Sequence, residues 1–242
     1  MVTNRDMGLG TLVLVLTLAP LQGADAQKQR QDAEAALARY VERGGGADWT
    51  VERMDVRASL PKLAKRGRLL AIRRLAPSRQ VKYEVLQLTG DRTVKDQVIA
   101  RYLKAEQRSF EMPAGEIAIT PANYKFSYKG LATESGRLTY VFQISPRKKR
   151  DGLIKGQFWL DAELAAPLRY SGYVLKRPSV WIKRLEITRE IKLSGGGLEA
   201  RLTHVTVDAR LIGRAELVIE ERPVGEMESA QSINADNGGG QQ

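Results

Sequence analysis

Mainly antiparallel β-structure with a small helical part (the α+β class) is the fold that this sequence predicts, on three observations. From Ile117 to Pro223, runs of alternating apolar residues follow one another almost without a break. Only two segments, Gln29–Arg43 and Thr93–Gln107, carry helical spacing. Helices so few and so unevenly placed do not build a parallel βαβ fold. Two helices and roughly nine or ten strands in meander order imply a strongly curved sheet or partly open barrel.

The elements follow in chain order. In Gln29–Arg43, Ala33, Ala36, Leu37, Tyr40 and Val41 form one stripe, and Gly44-Gly45-Gly46 supplies a stop. Val51, Met54 and Val56, near Trp49, open the first strand; Leu69–Leu75 is a second, and Val81, Tyr83 and Val85 a third. Gly90-Asp91 closes that run. In Thr93–Gln107, Val94, Val98 and Tyr102, with Ile99 and Leu103 alongside, make an apolar face that belongs against a sheet. Tyr124, Phe126 and Tyr128 share one side of the next strand, and Leu138, Tyr140, Phe142 and Ile144 one side of its partner.

The stretch Gly156–Lys176 reads as two strands around a fixed corner. Asp161 suits a turn because its carboxylate accepts backbone N–H bonds; Pro167 suits the restart because it fixes φ and donates nothing to a ladder. Val180–Leu193, Leu198–Leu211 and Ala215–Glu220 complete the strands, with Gly195-Gly196-Gly197 as a hairpin turn. The polar, glycine-rich stretch 225–242 reads as a disordered tail.

The N-terminus has the pattern of a secretory signal. Arg5 precedes an apolar core from Leu9 to Ala19, and Ala24-Asp25-Ala26 offers an A-x-A site with cleavage after Ala26. That core is shorter than the roughly 20 residues that span a bilayer. The expected organisation is a signal peptide at 1–26, one domain at 27–224 and the tail, in an exported monomer. Removing Arg5, Asp6 and Asp25 takes a net charge of −1 away, so +11 becomes +12 for the remainder. Export argues against nucleic acid as partner and leaves two readings of such charge, attraction to an anionic membrane surface or simple solubility. With no cysteine, stability has to come from the core.

Catalytic chemistry finds little support. His204 is the single histidine and lies mid-strand, cysteine nucleophiles are absent, and no G-x-S-x-G elbow occurs. Zinc needs several His or Cys ligands, and no calcium loop is present. Glu186 and Glu190 share a strand face with Arg184, Thr188 and Lys192, the pattern of a solvated sheet surface. The residues describe a binder with no enzymatic role, cofactor or metal.

Gly156-Gln157-Phe158-Trp159-Leu160-Asp161 followed by Ala166-Pro167-Leu168-Arg169 resembles a recurring pattern of the LolA-like superfamily of periplasmic lipoprotein-sorting and lipid-binding proteins. Asn123–Phe126 and Tyr140–Phe142 sit where such proteins place the preceding strand pair. The resemblance implies an incomplete, half-open barrel with helices over its opening and an apolar cavity for acyl chains. It also implies a carrier or chaperone for lipidated proteins or lipids bound for the outer membrane, or an envelope-stress sensor relaying a lipid signal to an inner- or outer-membrane partner. Both stay open. Holding an acyl chain of about 14 methylenes in water costs on the order of 10 kcal/mol, so transfer across an aqueous gap needs shelter. Tyr124, Phe126, Tyr128, Leu138, Tyr140 and Phe142 are the candidate cavity face. The basic loop Arg147-Lys148-Lys149-Arg150 is the candidate contact for an anionic membrane or partner.

Overall fold

The computed structural model describes residues 21–44, 51–76, 78–194, 197–211 and 213–224. Arg5, the apolar core 9–19, Trp49, Gly45-Gly46, Gly195-Gly196 and the tail 225–242 lie outside them. Ten antiparallel strands form one curved, unclosed sheet in the order β3-β2-β1-β10-β9-β8-β7-β6-β5-β4. The expected fold class is the one observed.

The strands are β1 (Val51–Leu60), β2 (Lys65–Leu75), β3 (Val81–Gly90), β4 (Tyr124–Glu134), β5 (Arg137–Pro146), β6 (Ile154–Asp161), β7 (Pro167–Val174), β8 (Ile182–Ser194), β9 (Gly197–Ala209) and β10 (Gly213–Pro223). Nearly every neighbouring pair is consecutive in sequence. The exception is β1 with β10, where Val56 pairs with Ile219 and joins the two ends of the chain in mid-sheet. The meander therefore grows outward from a central seam, leaving β3 and β4 as the two edges.

The helical segment between those edges crosses the sheet. It contains α2 (Arg92–Val94), a π-helical turn at Lys95–Ile99, α3 (Ala100–Glu111) and α4 (Ala114–Ile117). Asp91 caps its start, accepting from Thr93 N at 2.7 Å and Val94 N at 3.3 Å. The wider π turn lets the adjacent Val98 and Ile99 both be buried against the sheet. The N-terminal helix α1 (Leu21–Glu42) begins earlier than the expected Gln29, so Ala24-Asp25-Ala26 is helical.

Two hydrophobic clusters sit on this inner, helix-covered face. One packs Met54, Val56, Leu60, Leu69, Leu217 and Ile219 beneath Val94, Val98 and Ile99. The other packs Tyr124, Phe142, Ile144, Phe158 and Leu160 beneath Ala33, Ala36, Leu37 and Tyr40 of α1. Where β6 meets β7, Gly156 opposes Gly172. A Cβ on Gly156 would stand 1.9 Å from Ser171 O, so only glycine allows the two backbones to come this close.

The corner at Asp161 is built as its sequence suggests. Asp161 Oδ1 accepts from Leu164 N at 2.6 Å and Glu163 N at 3.0 Å, while Arg137 donates to Oδ2. Burial opposes the charge, but the Arg137 hydrogen bond and these N–H groups outweigh it and hold the carboxyl below its usual range. Pro167 then opens β7.

Candidate functional site

Alternation along each strand gives the inner face its composition, and register joins the strands into one surface. Tyr128 pairs with Phe142, Phe142 with Phe158, and Phe158 with Tyr170. Phe126 extends the surface, with ring centroids 5.8 Å from Phe142 and 6.2 Å from Phe158. Tyr128 meets Tyr140 at 6.2 Å and Phe142 at 5.9 Å. Edge-to-face and tilted contacts at these distances are the favoured aromatic geometry.

Five of the six candidate face residues come together this way. Tyr124 and Phe142 are fully buried, and Phe126, Tyr128 and Tyr140 half-buried. Leu138 stands apart at the end of β5, 54% exposed. Tyr124 Oη accepts from Ile154 N at 3.2 Å, and burial pushes its pKa up to about 12 despite that bond. Tyr128 Oη is buried with no hydrogen-bond partner among the described residues.

What covers this aromatic face is α1. Residues 24–32 of the helix are exposed; Ala33, Ala36, Leu37 and Tyr40 are its buried side chains. Tyr40 rests on Phe158 with centroids 5.3 Å apart. Arg39 donates to Ala162 O at 3.4 Å and Arg43 to Leu164 O, tying the C-terminal end of the helix to the Asp161 corner. Two alanines contribute little apolar area, so the cover is light.

The basic loop divides in two. Arg147 is committed to structure: its Nε donates to Pro121 O at 2.7 Å and its backbone N to Asn123 O at 2.7 Å. Arg150 lies 3.9 Å from Glu116. Lys148 and Lys149 are exposed, with no ion-pair partner among the described residues.

A belt of buried charge between the two clusters escapes the sequence reading. Glu52 on β1 accepts from Arg73 on β2 and Arg201 on β9. Glu221 on β10 lies 3.0 Å from Arg73, 3.6 Å from Arg201 and 3.8 Å from Arg189 on β8. Arg73 also donates to Glu106 of α3, which accepts from Tyr83 Oη at 2.6 Å and Tyr102 Oη at 2.9 Å. Arg189 donates to Thr203 Oγ1 at 2.8 Å and stacks over Tyr170 at 5.8 Å, joining the belt to the aromatic face.

The two carboxyls at its centre are held differently. Burial pushes the Glu52 pKa up to about 7, against the pull of Arg73 and Arg201. At Glu221 burial also opposes charge, but Arg189, Arg73 and Arg201 outweigh it and keep its pKa below the ordinary range. The signal was parity: Glu52 continues the buried series Met54, Val56, Ala58, and Glu221 continues Ile219, Leu217, Ala215.

The remaining acid–base candidates lie elsewhere. His204 is exposed on β9, on the face opposite Thr203 and Val205, and Arg184 donates to Glu186 at 2.5 Å. Among the described residues no group of three or more His, Cys, Asp or Glu is placed to hold a metal. Two open hollows, ≈ 390 and ≈ 440 Å³, lie on the outer face around Arg57, Arg66 and Arg68 and around Lys192, His204 and Glu220.

No family model and no curated protein matches this chain. It is similar to the solved structure of a domain from Vibrio parahaemolyticus named for outer membrane lipoprotein sorting, at 14% identity and TM-score 0.39, covering 86% of this chain and 98% of that one. It is also similar to a LolA superfamily protein from Nitrosomonas europaea, at 13% identity and TM-score 0.36, covering 81% and 96%. The Pseudomonas aeruginosa MucA/MucB complex is a third, at 13% identity and TM-score 0.23, covering 85% and 96%. The superfamily that the sequence resembles is thus among the names of its structural neighbours. Superpositions this loose carry no function across, so the functional reading rests on this chain's own geometry.

Proposed function

We propose that this chain is a non-enzymatic carrier of the cell envelope that lays an acyl chain of a lipidated protein or lipid along the inner face of β4–β7, in the space α1 now fills. One observation carries the reading: a continuous aromatic surface is covered by a helix with only four buried side chains among those described, two of them alanine. Lifting α1 exposes Tyr124, Phe126, Phe142 and Phe158 as a ready apolar bed, and an acyl chain regains for the protein the contacts that α1 gives up. Tyr128 Oη is the polar atom free to meet an ester or amide carbonyl of the cargo.

Cleavage after Ala26 suits this use. Among the described side chains of α1, the buried ones all lie C-terminal to that bond, so the cover they form survives loss of the leader. In this reading the exported domain is 27–224, periplasmic and monomeric.

Two measurements test it. Native mass spectrometry of protein taken from the periplasm should show a co-purified lipid or acylated peptide. A dansyl-labelled fatty acid should bind, more weakly in Phe142→Glu, and more tightly once Leu37→Ser and Tyr40→Ser loosen α1. No acyl ligand and no probe binding in the loosened variant would overturn the carrier. Probe binding together with capture of a membrane protein only in the lipid-loaded state would turn it into the sensor.

A further inference from the structure

The two rims of the sheet differ. At one rim the strands begin or end with the Pro61–Ala64 connection, the β5–β6 loop, the β7–β8 loop and the β9–β10 turn, as strand register requires. Direct contacts knit the last three of these turns together. Arg210 N donates to Trp181 O at 2.9 Å, Leu175 N to Leu153 O at 3.4 Å, and Lys176 Nζ reaches Asp151 at 2.9 Å.

Large apolar side chains stand in water on this rim. Val180 is 76%, Trp181 56% and Leu211 78% exposed, with Leu63 further along at 51%. The turn that presents Trp181 is a built one. Ser179 Oγ accepts from Trp181 N at 3.2 Å, and Ser179 O from Ile182 N at 3.1 Å. A hydrogen-bonded turn that holds Val and Trp outward argues against loose chain as the reason for their exposure.

Positive charge surrounds these residues. Lys62, Lys148, Lys149, Arg177, Lys183 and Arg210 are all exposed on the same rim, none with an ion-pair partner among the described residues. At the opposite rim, half-buried Arg137 is engaged by Asp161 and Glu163. Trp with flanking Lys and Arg is the composition that settles at a membrane–water boundary: the ring enters the headgroup layer and the cations meet anionic lipid.

We propose that this rim docks on an anionic lipid bilayer, with Val180, Trp181 and Leu211 entering the headgroup region and the lysines and arginines around them holding the lipid phosphates. An acidic protein partner fits less well, because such a patch would leave Trp181 and Leu211 without an apolar counterpart. The proposal extends the basic-loop reading from Lys148 and Lys149 to three further turns. It does not depend on acyl-chain binding under α1, since docking is measured on protein without cargo.

The test is flotation of the full chain with phosphatidylcholine vesicles, with and without phosphatidylglycerol, at rising salt. Binding is expected only with phosphatidylglycerol, falling as salt screens the charges. Trp181→Ser with Leu211→Ser should weaken it about tenfold by removing the inserted groups. Lys148→Gln with Lys149→Gln should flatten the salt dependence. Brominated phosphatidylglycerol should quench tryptophan emission in the native chain and not in Trp181→Phe. No vesicle binding, equal binding by the Trp181/Leu211 variant, or quenching that persists in Trp181→Phe overturns the proposal. These substitutions sit on the surface, and an unchanged circular dichroism spectrum confirms that the variants fold. Loss of docking leaves fatty-acid probe binding untouched, so the two readings fail separately.

Discussion

The two halves of the inner face are covered by helices of similar appearance that are fastened in unlike ways. Over β1, β2 and β10, the segment from Arg92 to Glu111 buries Val94, Val98 and Ile99 in an aliphatic core. It is then bolted to the sheet, because Glu106 takes hydrogen bonds from Arg73 on β2 and Tyr83 on β3. Over β4–β7, α1 lies on aromatic rings through four side chains and two arginine contacts to backbone oxygens. A buried ion network resists partial opening because each lost partner strands a charge; dispersion against flat rings carries no such penalty. The aromatic half is therefore the more lightly fastened of the two and the one expected to open first.

The largest effect expected from breaking that contrast is in the belt. Arg73→Met leaves Glu52, Glu106 and Glu221 without their shared cation and should cost about 3–5 kcal/mol in chemical denaturation. Gly156→Ala drives a methyl into Ser171 O and should cost about 3 kcal/mol, showing that the aromatic half is rigid in its strands even though its cover is light. Leu37→Ala in α1 should cost only about 2 kcal/mol. Native-state hydrogen exchange sharpens the point: amides of α1 from Ala33 to Tyr40 should exchange by local opening well before those of α3. Equal protection of the two helices would erase the distinction.

The belt also gives stability a pH dependence. Glu52 is raised from about 4.5 to about 7 in the fold, so the stability it contributes is complete below its unfolded pKa and lost as pH rises through 7. Relative to Glu52→Gln, the native chain should lose on the order of 3 kcal/mol between pH 4.5 and pH 8. Glu221 has the opposite sign: its depressed pKa contributes stability above its unfolded value and loses it as pH falls. A flat difference between native and Glu52→Gln chains would show that Arg73 and Arg201 fully offset burial. The smallest effect belongs to His204→Ala, within about 0.5 kcal/mol, because the ring is exposed on β9.

Much of the architecture was legible because period-two alternation is a local property. The Tyr124–Phe126–Tyr128 and Tyr140–Phe142 series, the Asp161 corner and the helical stripe at Val94–Leu103 each declare themselves within a few residues. Pairing of β1 with β10 did not, since it joins positions such as Val56 and Ile219 that nothing local connects. The belt was hidden for a related reason. Parity marks Glu52 and Glu221 as inward-facing, but Arg73 and Arg201 look like solvated strand residues when read alone, and only lateral register shows that these cations sit beside the two carboxylates. Leu138 fails as a face residue through its place at the end of β5, which the alternating pattern does not report.

The crossover from β3 to β4 has a mechanical consequence. Because residues 91–123 link one free margin of the sheet to the other, they act as a string across a bow. The sheet can flatten only as far as that string allows, and Arg73 clamps it partway along, at Glu106. If the sheet takes up cargo as proposed, widening its mouth pulls on these helical turns, so the girth of a guest is registered as tension at a distance from where it sits.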